Sequence, residues 1–580
     1  MMINLKINNI PVQVEEGTTI LQAAKSIGIR IPTLCYMKEI NAIGACRICV
    51  VEVKGARSLV AACVYPVNEG MEVFTDTPKV RASRKTTLEL ILSDHNMSCL
   101  SCDRSTHCEL QDLSYEYGCD MNRFQGEKHM TEKETSTEYL VRDNSKCVLC
   151  RRCVAVCRKI QEVGVIGPMK RGFKTQIGCA FENDLVNSPC VACGQCINVC
   201  PTGALHEKEE INEVRAALAD PEKIVIAAPA PAVRAGLGEE FGLAMGTNVE
   251  GKMVTALRML GFDKVFDVNF AADLTILEEA NELLDRVKNG GALPMFTSCS
   301  PGWIRYLEYY YPELIPNLST CKSPQQMFGA VCKTYYAEKL GIDPSNLFVV
   351  SIMPCTAKKF EKTRNGESAA GIPDIDAVLT TRELAKMIKQ NGILFNELKD
   401  GELDAPLGMY TGAGVIFGAT GGVMEAALRT AVETITGKEA DNLEYKKVRG
   451  TKGIKEASYD IDGLNVKVAV ASGISNAKKV CEKVASGKGD YTFIEIMCCP
   501  GGCVNGGGQP IMSSVTRENV DYKALRASAL YKADKNAKLR KSHDNPVVKE
   551  LYDTYLGKPG SHKAHEILHT GYVARERYKK

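Results

Sequence analysis

Residues 147–157 read CVLCRRCVAVC, and residues 190–201 read CVACGQCINVCP. The repeat sets Cys147, Cys150, Cys153 and Cys157 against Cys190, Cys193, Cys196 and Cys200, the second copy closed by Pro201. Three thiolates in so tight a loop hold three irons of a cubane, and the fourth cysteine crosses to the neighbouring cluster. The spacing therefore gives one 4Fe–4S cluster Cys147, Cys150, Cys153 and Cys200, and the other Cys190, Cys193, Cys196 and Cys157. Zinc rarely needs three thiolates this close.

Outward toward the N-terminus, this two-cluster, bacterial-type ferredoxin domain (139–208) is preceded by His95-x3-Cys99-x2-Cys102-x5-Cys108, in a segment spanning 80–138. One imidazole and three thiolates could equally hold zinc. Between iron–sulfur segments they favour a 4Fe–4S cluster with a histidine ligand, similar to that of the complex I large electron-transfer subunit. His107 reads as a surface histidine, and Cys119 and Cys179 as plain buried thiols. In residues 1–79, INLKINNIPVQV (3–14) and RICVVEV (47–53) alternate as strands, with a Thr-capped helix near TTILQAAKSIG between them. Cys35-x10-Cys46-x2-Cys49-x13-Cys63 then supplies the four thiolates of a 2Fe–2S cluster. A zinc knuckle shares that donor count, but the strand–helix–strand context favours a β-grasp ferredoxin. The front therefore expects one 2Fe–2S and three accessory 4Fe–4S clusters: a wire, which implies a terminal at each end.

The 25 cysteines of this 580-residue chain are the outlier in its composition, and seventeen of them precede residue 201. In a reducing compartment such clusters read as metal ligands before disulfides. Apolar content of 45% and a net charge of +2 are ordinary, so whole-chain charge argues for neither nucleic acid nor a membrane surface. No stretch approaches the roughly 20 apolar residues of a membrane span, and MMINLKINNIPVQVEEG lacks a secretory pattern. The expected home is the cytoplasm.

Outward toward the C-terminus the texture changes. KIVIAAPAP, KVFDVNF, LPMFTSCS, LFVVSIMPC, VKVAVASG and YTFIEIMCC read as buried strands, with helices such as GKMVTALRMLGF and LTILEEANELLDRVKNGG between them. This predicts a two-lobed α/β domain (209–514) whose ligand sits at the strands' C-terminal ends. The whole chain is then multidomain α+β and α/β. Three strands end in cysteine loops: TSCSPGW (297–303), MPCTAKKFE (353–361) and MCCPGGCVNGGGQP (497–510). Gly501, Gly502 and Gly506–Gly508 would let backbone approach a bulky cofactor.

On these three loops and the order of the front clusters, the chain resembles the iron-only (FeFe) hydrogenases over essentially its whole length. The resemblance implies an H-cluster, a 4Fe–4S cubane joined to a diiron unit carrying CO, cyanide and azadithiolate. It matches Cys503 to the bridging ligand, Cys355 and Cys499 to further cubane ligands, and Lys358 to a donor toward cyanide. Ala230, Pro231, Gln325, Met353, Phe417, Gly418 and Met497 match the pocket lining. Cys299, Glu279, Ser319 and Glu282 match a proton relay, and Glu279 and Glu282 stand i, i+3 on one predicted helix face.

One position departs from the family pattern. The loop usually holds two adjacent cysteines, the first relaying protons and the second ligating the cubane, and here the second is Ser300. Either Ser300 ligates through oxygen, or Cys299 ligates and the relay changes, or the site's activity is altered. Cys321 and Cys498 stand at positions expected to be non-ligating, and are the cysteines that could compensate for Ser300.

The implied reaction is reversible interconversion of H2 with protons and electrons. The implied partners are ferredoxin and/or flavin- and NAD(P)-binding subunits of a hetero-oligomer, including an electron-bifurcating one. The glycine runs do not follow a strand into a helix in nucleotide-binding spacing. A stand-alone ferredoxin-dependent enzyme, an H2-sensing subunit and an electron relay are the competing readings. Residues 515–580, rich in Lys and Arg, resemble the family's helical belt, and His562, His565 and His569 are expected to be solvated.

Overall fold

A computed structural model describes residues 1–440 and 442–578. Two compact units emerge: Met1–Ser188 with Val199–His206 and Ile511–Val520, and Pro189–Asn198 with Glu207–Pro510 and the chain from Asp521 onward.

In the first unit, strand Met2–Ile7 pairs antiparallel with Ile10–Glu15 and parallel with Glu72–Phe74 inside a five-stranded sheet. Alternation places Ile3, Leu5 and Ile7 on one face, where they pack with Ile20, Ala23 and Ala24 of helix Ile20–Ser26. Thr19 opens that helix as a reciprocal cap with Gln22, satisfying N–H groups that the first turn leaves without partners. Helix Pro78–Ser93 starts on Thr77 with proline at its first position. Its Leu88 and Leu92 pack against Leu110 and Leu113 of helix Glu109–Glu116.

The two cysteine repeats curl in the same way. Leu149 (φ +50°) and Arg151 (φ +60°) in the first copy correspond in position to Ala192 (φ +57°) and Gly194 (φ +66°) in the second. Left-handed residues at alternate positions turn successive backbone N–H groups into the loop's concavity, a cradle for negative charge. Three of the four carry a Cβ, so the geometry is imposed by the loop and not by residue preference.

The second unit holds two four-stranded sheets. In one, Lys264–Val265, Ile224–Pro229, Leu347–Met353 and Ala377–Thr380 run parallel. In the other, Met295–Phe296, Phe493–Met497 and Leu464–Ser472 are parallel, and Ile454–Ile461 closes the edge antiparallel. Strands such as Ile224–Pro229 are apolar on both faces because helices cover both. Helix Val268–Asn289 serves both cores: Val268, Ala271 and Leu274 pack toward the first sheet, Ala272 and Ile276 toward the second. The expected strand KVFDVNF stops at Val265. Asp267 accepts the Asn269 N–H at 2.8 Å, which starts this helix, while pairing with the buried guanidinium of Arg234. No helix among the described residues is long and apolar enough to cross a membrane.

Candidate active site

The strands deliver their loops from their C-terminal ends, where a parallel sheet leaves its crevice. Ile224–Pro229 runs into Ala230 and Pro231, and Leu347–Met353 into Cys355. Met295–Phe296 leads to Cys299 and Ser300, and Phe493–Met497 to Cys498, Cys499 and Cys503. All of these meet at one cavity. Gln325, Met353, Lys358, Phe417, Gly418 and Met497 complete the wall predicted from sequence. Cys498 and Cys193 line it too, although sequence reasoning left both outside the pocket. The adjacent pair Cys498–Cys499 was the visible signal for the first of them.

Burial, then the nearby sulfur of Cys499, pushes the Cys503 thiol up to about 12, and the same two causes raise Cys355. Burial, then Glu279, raises Cys299. Burial alone holds such thiols protonated, and a bound cation would be needed to favour their thiolates. Soft sulfur donors in an otherwise apolar wall fit an iron–sulfur group. Lys358 adds a buried ammonium, hydrogen-bonded to the Cys299 carbonyl at 3.3 Å, Ser323 at 2.7 Å and Glu361 at 2.7 Å. Gln325 donates to Glu361 and the Lys358 carbonyl, leaving its buried Oε1 with no hydrogen-bond partner.

The glycines of residues 501–508 answer to packing. A Cβ on Gly506 would lie 1.9 Å from the Pro354 carbonyl oxygen, and one on Gly507 2.5 Å from that of Cys193. Gly502, at φ +96°, would put one 2.6 Å from the Thr420 nitrogen. At these positions the missing side chain is used up by loop-on-loop contact.

Beside the cavity, Glu279 and Glu282 share a face of helix Val268–Asn289. Ser298 donates to Glu279 through its N–H at 3.4 Å and its hydroxyl at 3.5 Å. The Ser319 hydroxyl donates to Glu282 at 3.0 Å and also reaches the Glu279 carboxylate. Complete burial, then the Glu282 charge, raises the Glu279 carboxyl to about 8. Glu282 is 14% exposed and held by Arg286 at 2.6 Å, so the pair grades from interior to surface. At its outer end His569 is not solvated as expected: its ring is 5% exposed, 3.2 Å from Glu278 and 2.7 Å from the Thr320 hydroxyl. Ligand atoms of Glu282, Cys321 and His569 lie within 4.8 Å of one another, a grouping the sequence spacing could not reveal.

The first unit keeps its own donors. Cys35 is hydrogen-bonded through its thiol to Cys46 and Cys63, Cys63 to Cys49, and the Cys35 N–H points at Cys46 Sγ, 3.4 Å away. His95 is buried with Nδ1 unpartnered, and burial, then Lys146 and Lys128, lowers its pKa to about 4. A neutral ring with an open nitrogen is what a metal requires. Cys99 lies on a short turn, and Cys102 presses on Gly203, where a Cβ would come within 2.4 Å of its sulfur. Cys108 opens helix Glu109–Glu116. Cys200 neighbours Cys147 and Cys150, Cys153 is buried, and Cys157 follows on a short helical turn. Cys190, Cys193 and Cys196 belong to the second unit.

Residues 223–507 match the family model described as iron only hydrogenase large subunit, C-terminal domain, and residues 520–575 that of the iron hydrogenase small subunit. Residues 1–78 match a 2Fe–2S iron–sulfur cluster binding domain. Residues 84–123 match the NADH-ubiquinone oxidoreductase-G iron–sulfur binding region, and 138–206 the ferredoxin-like domain of NADH-quinone oxidoreductase subunit 3. An NADP-reducing hydrogenase subunit of Solidesulfovibrio fructosivorans is 47% identical, covering 99% of this chain and 100% of its own. Iron hydrogenase 1 of Clostridium pasteurianum is 48% identical over 98% of this chain and 99% of its own. The solved structure of an apo [FeFe]-hydrogenase from Chlamydomonas reinhardtii aligns with a TM-score of 0.57 and 45% identity, covering 64% of this chain and 100% of that one.

Proposed function

The chain belongs to the iron-only hydrogenases, interconverting H2 with protons and electrons, and from that premise we propose how its residues divide the work. When bound, the H-cluster supplies the metal chemistry on H2. Cys355, Cys499 and Cys503 would hold it. Lys358, a buried ammonium in the cavity wall, would favour negative charge on it. Ala230, Pro231, Gln325, Met353, Phe417, Gly418 and Met497 wall it from water, which strengthens each polar contact inside.

Protons leave through Cys299 to Glu279, across the Ser319 hydroxyl to Glu282, and out to solvent. Glu279, with its carboxyl raised to about 8, holds and releases a proton near neutral pH. Electrons pass through the clusters of the front segments: one 2Fe–2S, one His95-bearing 4Fe–4S and a pair of 4Fe–4S cubanes. The partner is a flavin- and NAD(P)-binding subunit, ferredoxin, or both, in a hetero-oligomer. The 47% identical NADP-reducing relative supports this, as do the front segments' matches to NADH-oxidising complexes. So do the exposed Leu100, Tyr115 and Phe181, apolar side chains suited to a protein contact.

The observation that carries the reading is the meeting of three distant loops' thiols at one cavity beside the buried Glu279. The test is maturated protein assayed for H2 evolution with reduced viologen, alongside infrared bands of CO and cyanide. Activity with those bands is expected. Full bands without turnover would leave the H2-sensing reading, for which Ser300 is the motive, and absent bands would leave an electron relay.

A further inference from the structure

A cubane takes four protein ligands, most often thiolates, and the loops offer Cys355, Cys499 and Cys503 for three of them. We infer that Cys498 supplies the fourth, in place of the serine that stands at 300. This rests on the cavity being the cluster site proposed above.

Cys498 lines that cavity and is 5% exposed. Its backbone N–H donates to the Ser300 hydroxyl at 3.2 Å, so the two positions stand side by side in the wall. An oxygen already accepting a hydrogen bond at 300 has a thiol directly next to it. The fold also makes room for that sulfur. A Cβ on Gly302 would fall 2.7 Å from Cys498 Sγ, closer than packed atoms tolerate, so glycine at the start of helix Pro301–Tyr310 keeps the place open.

The sulfur of Cys498 is hydrogen-bonded to those of Cys499 and Cys193. Cys35, Cys46, Cys49 and Cys63 are linked by sulfur–sulfur hydrogen bonds in the same manner. Thiols gathered at that range can exchange their protons for iron.

The other two candidates also line the cavity, but each has contacts of its own there. Cys299 packs with Phe417 and Met497 on the core of the second sheet, and its carbonyl accepts from Lys358. The preceding residue, Ser298, bonds to Glu279, so this stretch faces the acid pair. The Ser300 hydroxyl is the acceptor for Cys498.

The test counts iron and sulfide in the full-length chain, reconstituted anaerobically, with the visible circular dichroism of the 2Fe–2S segment reporting an intact fold. Cys498→Ala is expected to lose about four irons, one cubane, while Cys299→Ala and Ser300→Ala keep theirs. Cys498→Ala combined with Ser300→Cys is expected to regain them, because a thiol returns at the neighbouring position. Full iron in Cys498→Ala overturns the inference, as does loss of the cubane from Cys299→Ala or Ser300→Ala alone. If Cys503→Ala also keeps all its iron, the cluster assignment of the cavity fails instead, which separates the two claims.

Discussion

The proposed proton route turns on Glu279, which is fully buried between the cavity loop and Ser319. Its carboxyl ionises at about 8, raised first by burial and then by Glu282. H2 evolution needs the protonated acid as donor, so the rate should fall as pH rises through about 8. Glu279→Gln should cost about 10²-fold in turnover, the usual worth of a positioned acid–base group. It should also remove that pH limb and leave the CO and cyanide bands in place; unchanged turnover would exclude Glu279 from the route. Stability carries the same signature with a definite sign. The folded chain keeps this proton up to about pH 8, whereas the unfolded chain releases it near 4.5. The carboxyl therefore lowers stability as pH climbs between those values and no further above them. Melting midpoints of Glu279→Gln should decline less across that window than those of the parent. The i, i+3 spacing of the two acids was legible in sequence because helical periodicity alone decides it. The bonding of His569 to Glu278 was not, since it joins positions almost 300 residues apart.

At the scale of elements, the C-terminal segment holds the cysteine loop in place. On helix Tyr522–Asn536, Arg526 is fully buried and donates to the Val504 carbonyl at 2.8 Å and the Pro510 carbonyl at 3.3 Å. Its remaining donors pair with Glu239 at 2.6 and 2.7 Å, and Tyr522 donates to Asn505 at 2.9 Å. Arg526→Met would leave Glu239 buried without its cation, costing about 3–5 kcal/mol, the usual penalty for breaking a buried pair. The melting midpoint should fall, and Glu239→Gln in the same chain should recover part of it. An unchanged midpoint would mean that the helix does not brace the loop. The strand-end loops and most of their parent strands were readable because a strand covered on both faces requires an unbroken apolar run, and cysteine marks where each run ends. KVFDVNF was misread past Val265 because an apolar run does not disclose that Asp267 is spent on Arg234 and a helix cap. Gly502 and Gly506 do line the cavity, but sequence says only that a Cβ is unwelcome there and not which neighbouring loop would meet it.

For the molecule as a whole, the open matter is where electrons leave the wire. A dinucleotide site needs a glycine turn between strand and helix whose missing side chains admit phosphates. In this chain the longest glycine run follows a cysteine loop, and its missing side chains are filled by Pro354, Cys193 and Thr380. A nucleotide cannot use space that the protein already occupies. The purified chain under H2 should therefore reduce viologen but not NADP+, and NADP+ reduction should appear when a flavin-bearing subunit from the native host is restored. NADP+ reduction by the chain alone would place the nucleotide site within it and defeat the division of labour. Reduction of ferredoxin at full rate, with NADP+ silent even when every copurifying subunit is present, would assign the chain to the ferredoxin-served type. The front segments remain a wire in each case; what changes is the carrier waiting at its end.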